Sequence, residues 1–405
     1  MNRLQALAII LSGNAAVYSA DWPAWRGPDG QGHSAEKNLP LKWSKTENVK
    51  WNVPLAASGN SSPIVFRDRI FLTQAIPGGA TRSLLCFARS DGKLLWQRDV
   101  AYAKTEKSFG PTYYGNASPV TDGERVVVGY GQAGMYCYDF DGKELWKRTD
   151  LGLWTHPYGN ASSPVLYQDL AILWCGPNEA SKDRNWLLAV DKKSGRTIWE
   201  TDEKGGSWST PLVTKVNGQD QLILCVPFKL KGFDPRTGKE LWFCDGVSGE
   251  TRASPLYGNG IAVALCSRGG SALAVNLGGT GDITADRLWH QPSRWDQTGS
   301  GVIVGQQVYL LDKIGLPQCL DLKTGEEVWK GQGRAALSWS SIVHADGRLY
   351  VPTRNGVTFV FAASPKYELL ATNRLGDRTT ASMAVSDGEL FIRTEKTLWC
   401  ISEKK

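Results

Sequence analysis

The chain has 405 residues, 41% of them hydrophobic, and its 17 Trp, 13 Tyr and 11 Phe exclude an intrinsically disordered protein. Its 44 Gly follow no three-residue period, which excludes collagen. Lys and Arg number 46 against 40 Asp and Glu, a net charge of +6, but they are scattered singly, which argues against nucleic acid or an anionic membrane as partner.

Residues 1–20 read as a secretion signal: Arg3, then an apolar run from Leu4 to Leu11, then small residues ending at Ser19-Ala20. The run is too short to span a bilayer, no Cys follows it to carry a lipid anchor, and no later segment is apolar enough for a membrane helix. The expectation is a soluble exported protein, periplasmic or extracellular. Residues 21–42 read as an irregular N-terminal strap, in which Ser34-x-x-Lys37 matches a nucleophile motif only by chance.

From residue 43 to 405 one unit recurs. A copy runs from Ser118-Pro119-Val120 through Val126-Val127-Val128 and Tyr136-Cys137-Tyr138 to Gly142-Lys143-Glu144-Leu145-Trp146. Copies start near Ser62, Ser118, Ser163, Thr210, Ser254, Ser300, Ser341 and Ser382, 41 to 56 residues apart. Each holds short β-branched and aromatic runs broken by Asp-Gly, Asn-Gly or Gly-Lys turns, the pattern of hairpins. A period in the forties with four strands predicts an all-β fold, an eight-bladed β-propeller of four-stranded antiparallel blades. The last copy has only three strands. Asn48-Val49-Lys50-Trp51 is expected to supply the fourth, so that the N-terminal strand closes the C-terminal blade and removes the open edges.

The Gly-x-x-x-Trp ending places Trp96, Trp146, Trp199, Trp242 and Trp329 in one register, with Trp51 and Trp289 matching it and Leu370 filling the place in a degenerate copy. These tryptophans read as docking each blade onto its neighbour. Cys86, Cys137 and Cys319 share a slot with Ala189 and Gly232, so that slot demands a small residue. Most of the eight cysteines are expected as packed thiols. Asp139, Asp191, Asp234 and Asp321 read as turn anchors. Gly278–Gly281 reads as an inter-strand loop, and His33, His156, His290 and His344 show no metal-ligand spacing.

Two segments, Asp234-Pro235-Arg236-Thr237-Gly238-Lys239-Glu240-Leu241-Trp242 and Asp321-Leu322-Lys323-Thr324-Gly325-Glu326-Glu327-Val328-Trp329, resemble the pyrroloquinoline-quinone (PQQ) repeat. Asp21–Pro28 and Gly278–Thr284 are similar to segments of exported PQQ-repeat propellers of planctomycete and verrucomicrobial type. Two branches share this blade. Quinoprotein dehydrogenases hold PQQ and calcium at the propeller axis and are longer, many with adjacent cysteines that are lacking here. Propellers resembling BamB are non-catalytic and assist outer-membrane-protein assembly. Length and blade number match the second branch.

The loops leading into the inner strands are expected to gather on one face around the axis. They carry Tyr113, Tyr114 and Asn116, then Trp154, His156 and Tyr158, then Trp208 and Arg252. Arg294, Trp295 and Asp296 follow, with Trp339 and Arg378 last. Aromatic faces and guanidinium groups there can stack on and pair with a ligand, or else plug the axis. The reading is a monomeric, non-catalytic binding scaffold of the cell envelope, with no metal or cofactor and with an envelope protein or peptide as partner. The alternatives are a PQQ- and calcium-dependent alcohol or sugar dehydrogenase, in which Asp296 is the candidate base, or a polysaccharide-binding propeller.

Overall fold

The computed structural model describes residues 21–104, 114–152, 154, 156, 158–177, 184–295, 298–312, 314–332 and 337–403, the side chains of Arg294 and Trp295 excepted. The signal segment 1–20, Tyr113 and Asp296 lie outside the described residues.

The apolar runs form short strands that hydrogen-bond to their sequence neighbours. Blade 1 is Ile64–Phe66, Arg69–Ala75, Thr81–Ala88 and Leu94–Ala101, paired antiparallel in that order. Blades 2 to 7 repeat the pattern over 120–148, 165–203, 212–247, 256–295, 302–330 and 343–374. Blade 8 takes Ala384–Ser386, Glu389–Arg393 and Thr397–Ile401, and its fourth strand is Val49–Pro54. There Trp51 pairs with Cys400 and Asn52 with Trp399, so the two ends of the chain close one ring.

Burial follows position in the blade. The second strand is covered on both faces, as in Leu170–Cys175, where every residue after the first is buried. The outer strand meets water, as in Glu144–Arg148, where only Trp146 is buried. That outer strand carries a bulge just before its indole: Glu144 pairs with Tyr138 and Trp146 with Cys137, leaving Leu145 unpaired and 41% exposed.

The register explains the small slot. Trp51, Trp96, Trp146, Trp199, Trp242, Trp289 and Trp329 stand opposite Cys400, Cys86, Cys137, Ala189, Gly232, Ala274 and Cys319. A large side chain in the slot would displace the ring. A Cβ on Gly232 would lie 2.2 Å from Trp242. Blade 7 departs from the sequence expectation. Its bulge falls one residue later than the sequence suggests, so Ala371, not Leu370, occupies the indole position, opposite Val360. The N-terminal segment brings another indole to the cluster that holds this pair: Trp43 is 3% exposed, and its ring stacks on Tyr350 at 6.3 Å.

Six of the seven indoles reach the following blade. The Nε1 groups of Trp51, Trp96, Trp146, Trp199, Trp289 and Trp329 donate to carbonyls of Arg89, Phe140, Lys192, Pro235, Leu322 and Ser364 at 2.8 to 3.2 Å. Trp242 donates instead to Gln221 of its own blade. The recurrent Gly has a double reason. Gly195 has φ +72°, and a Cβ there would lie 2.8 Å from the Trp146 ring of the preceding blade. The turn aspartates accept backbone N–H groups: Asp139 from Asp141 and Lys143, Asp321 from Lys323 and Thr324. All eight cysteines are free and buried.

Gly278–Gly281 is more than a connecting loop. Gly281–Asp282 adds a parallel strand to the outer edge of blade 4 beside Trp242 and Phe243, and Ile283 is buried there against Trp242 and Cys244.

Candidate functional site

The first residue of each copy meets the first residue of the next. The N–H groups of Ser62, Ser118, Ser163, Thr210, Ser254, Ser300, Ser341 and Ser382 each donate to the hydroxyl of the following member, at 2.8 to 3.0 Å. The bond from Ser382 to Ser62 closes the circle. Each hydroxyl thus accepts from the backbone and keeps its own proton to donate. Five of the eight, Ser62, Ser163, Thr210, Ser341 and Ser382, line an axial cavity of about 470 Å³, within the size range of pockets that take small molecules or side chains.

One end of the cavity is set by the N-terminal segment, which runs across the ring downstream of the hydroxyl circle. Trp22 bridges Val65 of blade 1, and the Pro23 carbonyl accepts from Thr121 of blade 2. Gln31 accepts from Tyr257 of blade 5, and Arg26 donates to Gly301 at the start of blade 6. His33–Ser34 then pairs parallel with Val343–Ala345 of blade 7. Trp25, in the middle of this crossing, lines the cavity as its floor.

The other end is the rim of loops. His156 meets the Trp208 ring edge-on at 4.5 Å, and Trp208 Nε1 donates to the Gly159 carbonyl. Arg252 lies over Tyr158 at 5.6 Å and near Trp208 at 6.0 Å, and Arg268 lies over Tyr158 at 5.4 Å. Both guanidiniums pair with one carboxylate, Glu250. Among the described residues, these two cations share that one anion. Across the cavity, Trp339 lies under the Arg354 guanidinium at 4.1 Å. Asp312, 8% exposed, accepts the N–H groups of Ile314 and Leu316 and pairs with Lys330 at 2.7 Å.

Of the residues singled out in the sequence, Asn116, Tyr158, Trp208, Arg252 and Trp339 line the axial cavity. Tyr114, Trp154 and His156 line a smaller neighbouring pocket with Asn116, where Arg82 lies over the Tyr114 ring at 5.1 Å. Arg378 does not reach the axis: it is exposed and faces Glu395 at 3.7 Å. Arg294 and Trp295 end the last strand of blade 5, with Trp295 opposite Gly270. The sequence reading missed Trp25, Arg268 and Asp312. Trp25 lies outside the repeat, and Arg268 and Asp312 follow second strands rather than lead into inner ones.

Three asparagines, each two residues before a Ser in the chain, are tied together. Asn60 donates to Asn116 Oδ1, Asn116 to the Asn160 carbonyl and Asn160 to the Gly176 carbonyl. Among the described residues no three His, Cys, Asp or Glu side chains gather to hold a metal, and no helix is long and apolar enough to cross a membrane.

A family model described as outer membrane protein assembly factor BamB matches residues 80–331, more than half of the chain. Among solved structures, BamB from Moraxella catarrhalis superposes with a TM-score of 0.64 at 13% identity, covering 87% of this chain and 96% of that one. A europium-containing methanol dehydrogenase gives a TM-score of 0.70 at 11% identity, covering 92% and 88%. The quinohemoprotein alcohol dehydrogenase of Comamonas testosteroni gives 0.66 at 11%, covering 95% and 81%. At these identities the likeness shows the fold alone. No curated protein matches the chain.

Proposed function

We propose, from the premise that the chain belongs to the family of the outer membrane protein assembly factor BamB, that it is a non-catalytic, exported binding propeller of the cell envelope. Its axial cup receives a segment of a partner protein. The observation that carries this reading is the cup itself: a cavity of about 470 Å³ with Trp25 at its base, hydroxyls in its wall and an aromatic rim that carries Arg252 and Arg268. Such a surface suits an extended peptide that places an apolar or aromatic side chain in the cavity and a carboxylate against Arg252 and Arg268. The hydroxyl circle supplies donors without a charge to be desolvated.

The fold is shared with a methanol dehydrogenase and a quinohemoprotein alcohol dehydrogenase, so a PQQ- and calcium-dependent oxidoreductase is the second reading. The described donor set fits it poorly. Calcium takes six to eight oxygens, whereas the carboxylate that lines the cavity among the described residues, Asp312, is already engaged by Lys330 and two backbone N–H groups.

The test is capture from envelope extract by the full chain, beside Arg252→Ala and Trp339→Ala variants whose folding is checked by circular dichroism. The expected result is an envelope protein retained by the wild type and lost by folded variants. Equal capture by all three sinks the reading. So does saturable PQQ binding with calcium together with alcohol- or sugar-dependent dye reduction.

A further inference from the structure

Two of the four histidines, 311 residues apart in sequence, meet at the floor of the ring. His33 pairs in parallel register with His344, and their Nδ1 atoms are 3.2 Å apart. The rings are edge-to-face with centroids 5.4 Å apart. At that separation one nitrogen must accept what the other donates, so at most one of the two Nδ1 atoms carries a proton. A second proton sets N–H against N–H.

The surroundings oppose that proton as well. Within the N-terminal segment, Arg26 is buried, with its guanidinium donating to the Gly30, Gln31 and Gly301 carbonyls, and it acts on His33. His33 itself, and after it Lys37, act on His344. Asp29, exposed at the edge of this segment, accepts the Gln31 N–H and is the carboxylate that faces Arg26. From blade 7, Asp346 and Arg348 pair with each other at 3.5 Å. Burial first, then Arg26 on His33 and His33 followed by Lys37 on His344, hold both imidazoles down to about 4.

We infer that the His33–His344 contact is a proton-operated latch. Neutral, it fastens the segment that carries Trp25 across the axial cavity; protonated, it releases that segment and opens the cavity at its second end. The latch does not depend on what the cavity binds; only its consequence for ligand access rests on the reading above. Released imidazoles return to an ordinary value near 6.5. Opening is therefore favoured progressively as pH falls from about 6.5 towards 4, with two protons taken up. Between pH 6.5 and 4.5 this shifts the opening equilibrium on the order of 10²-fold, after allowance for solvent screening.

The experiment is hydrogen exchange on the full chain without ligand, corrected for the intrinsic pH dependence, and compared between peptides spanning 26–34 and 397–401. The expected result is a roughly 10²-fold loss of protection in the first, with the second unchanged. A His33→Asn/His344→Asn variant should abolish the pH dependence of 26–34. Should that variant fail to fold, carbon-13 histidine resonances of the wild type give the same information: two of the four titrate far below 6.5, together with the exchange of 26–34. The latch is overturned if these two titrate near 6.5, if both peptides lose protection together, or if the variant retains the pH dependence. An unchanged latch with no ligand found for the cavity overturns the proposed function alone.

Discussion

The Ser382 N–H donates to Ser62 Oγ at 3.0 Å, joining the last copy of the repeat to the first across 320 residues. Beside it, Arg393, 1% exposed, reaches from blade 8 to the Ser61 and Thr73 carbonyls of the blade 1 side, and burial draws its guanidinium down to about 9. The seam is thus fastened by the same bond as every other blade junction, with a buried cation added.

Removing the Ser62 hydroxyl leaves the buried Ser382 N–H without its acceptor. Ser62→Ala is expected to lower stability by about 1–3 kcal/mol, read as a drop in the urea midpoint with an unchanged slope. A midpoint equal to wild type would show that the circle does not stabilise the ring.

Trp146 and Gly195 are mutually dependent across the blade 2–blade 3 junction. Trp146→Ala empties a buried site and is expected to cost about 3–5 kcal/mol. Gly195→Ala is strained by its positive φ and also collides with the indole. In the double variant the collision is gone, so the two losses should sum to more than the measured one. Strict additivity in urea melts would refute the contact.

Acid stability follows from the same two histidines. Their folded values, about 4, lie below the unfolded value near 6.5, so the unfolded chain binds more protons in that window. Stability is whole above pH 6.5 and falls as pH drops towards 4, by at most about 3 kcal/mol per histidine. Urea midpoints of wild type and His344→Asn measured at pH 7 and pH 5 should converge at the lower pH. A constant gap counts against the effect.

Burial pushes the Cys86 and Cys137 thiols up to about 12, leaving almost no thiolate at neutral pH. A disulfide reagent at pH 8 should therefore leave the native protein unlabelled over minutes and label eight thiols in urea. Fast native labelling of either residue would show that its site is open.

Much of the architecture was legible in local pattern. Strand alternation, the Asp-Gly turns and the Gly-x-x-x-Trp ending are set by neighbours within one copy, so eight copies announce eight blades. The three-stranded last copy called for Trp51, and Trp51 pairs with Cys400. Leu370 misled because a bulge shifts the register by one residue without altering the local sequence. The rim was legible only as a set of loops. That Tyr158, Trp208, Arg252 and Trp339 share one cavity while Arg378 turns outward depends on loop conformations that no period constrains.

By itself, then, the sequence determined what repeats: the blade, the number of blades, the small residue opposite each indole and the strand that seals the ring. Only the tertiary structure decided what does not repeat. It placed Trp25 under the axis, gave Arg252 and Arg268 one shared carboxylate, and brought His33 against His344. None of these relationships follows the period of the repeat, the last joins residues 311 positions apart, and their energies arise from desolvation and close approach, which exist only once the ring has closed.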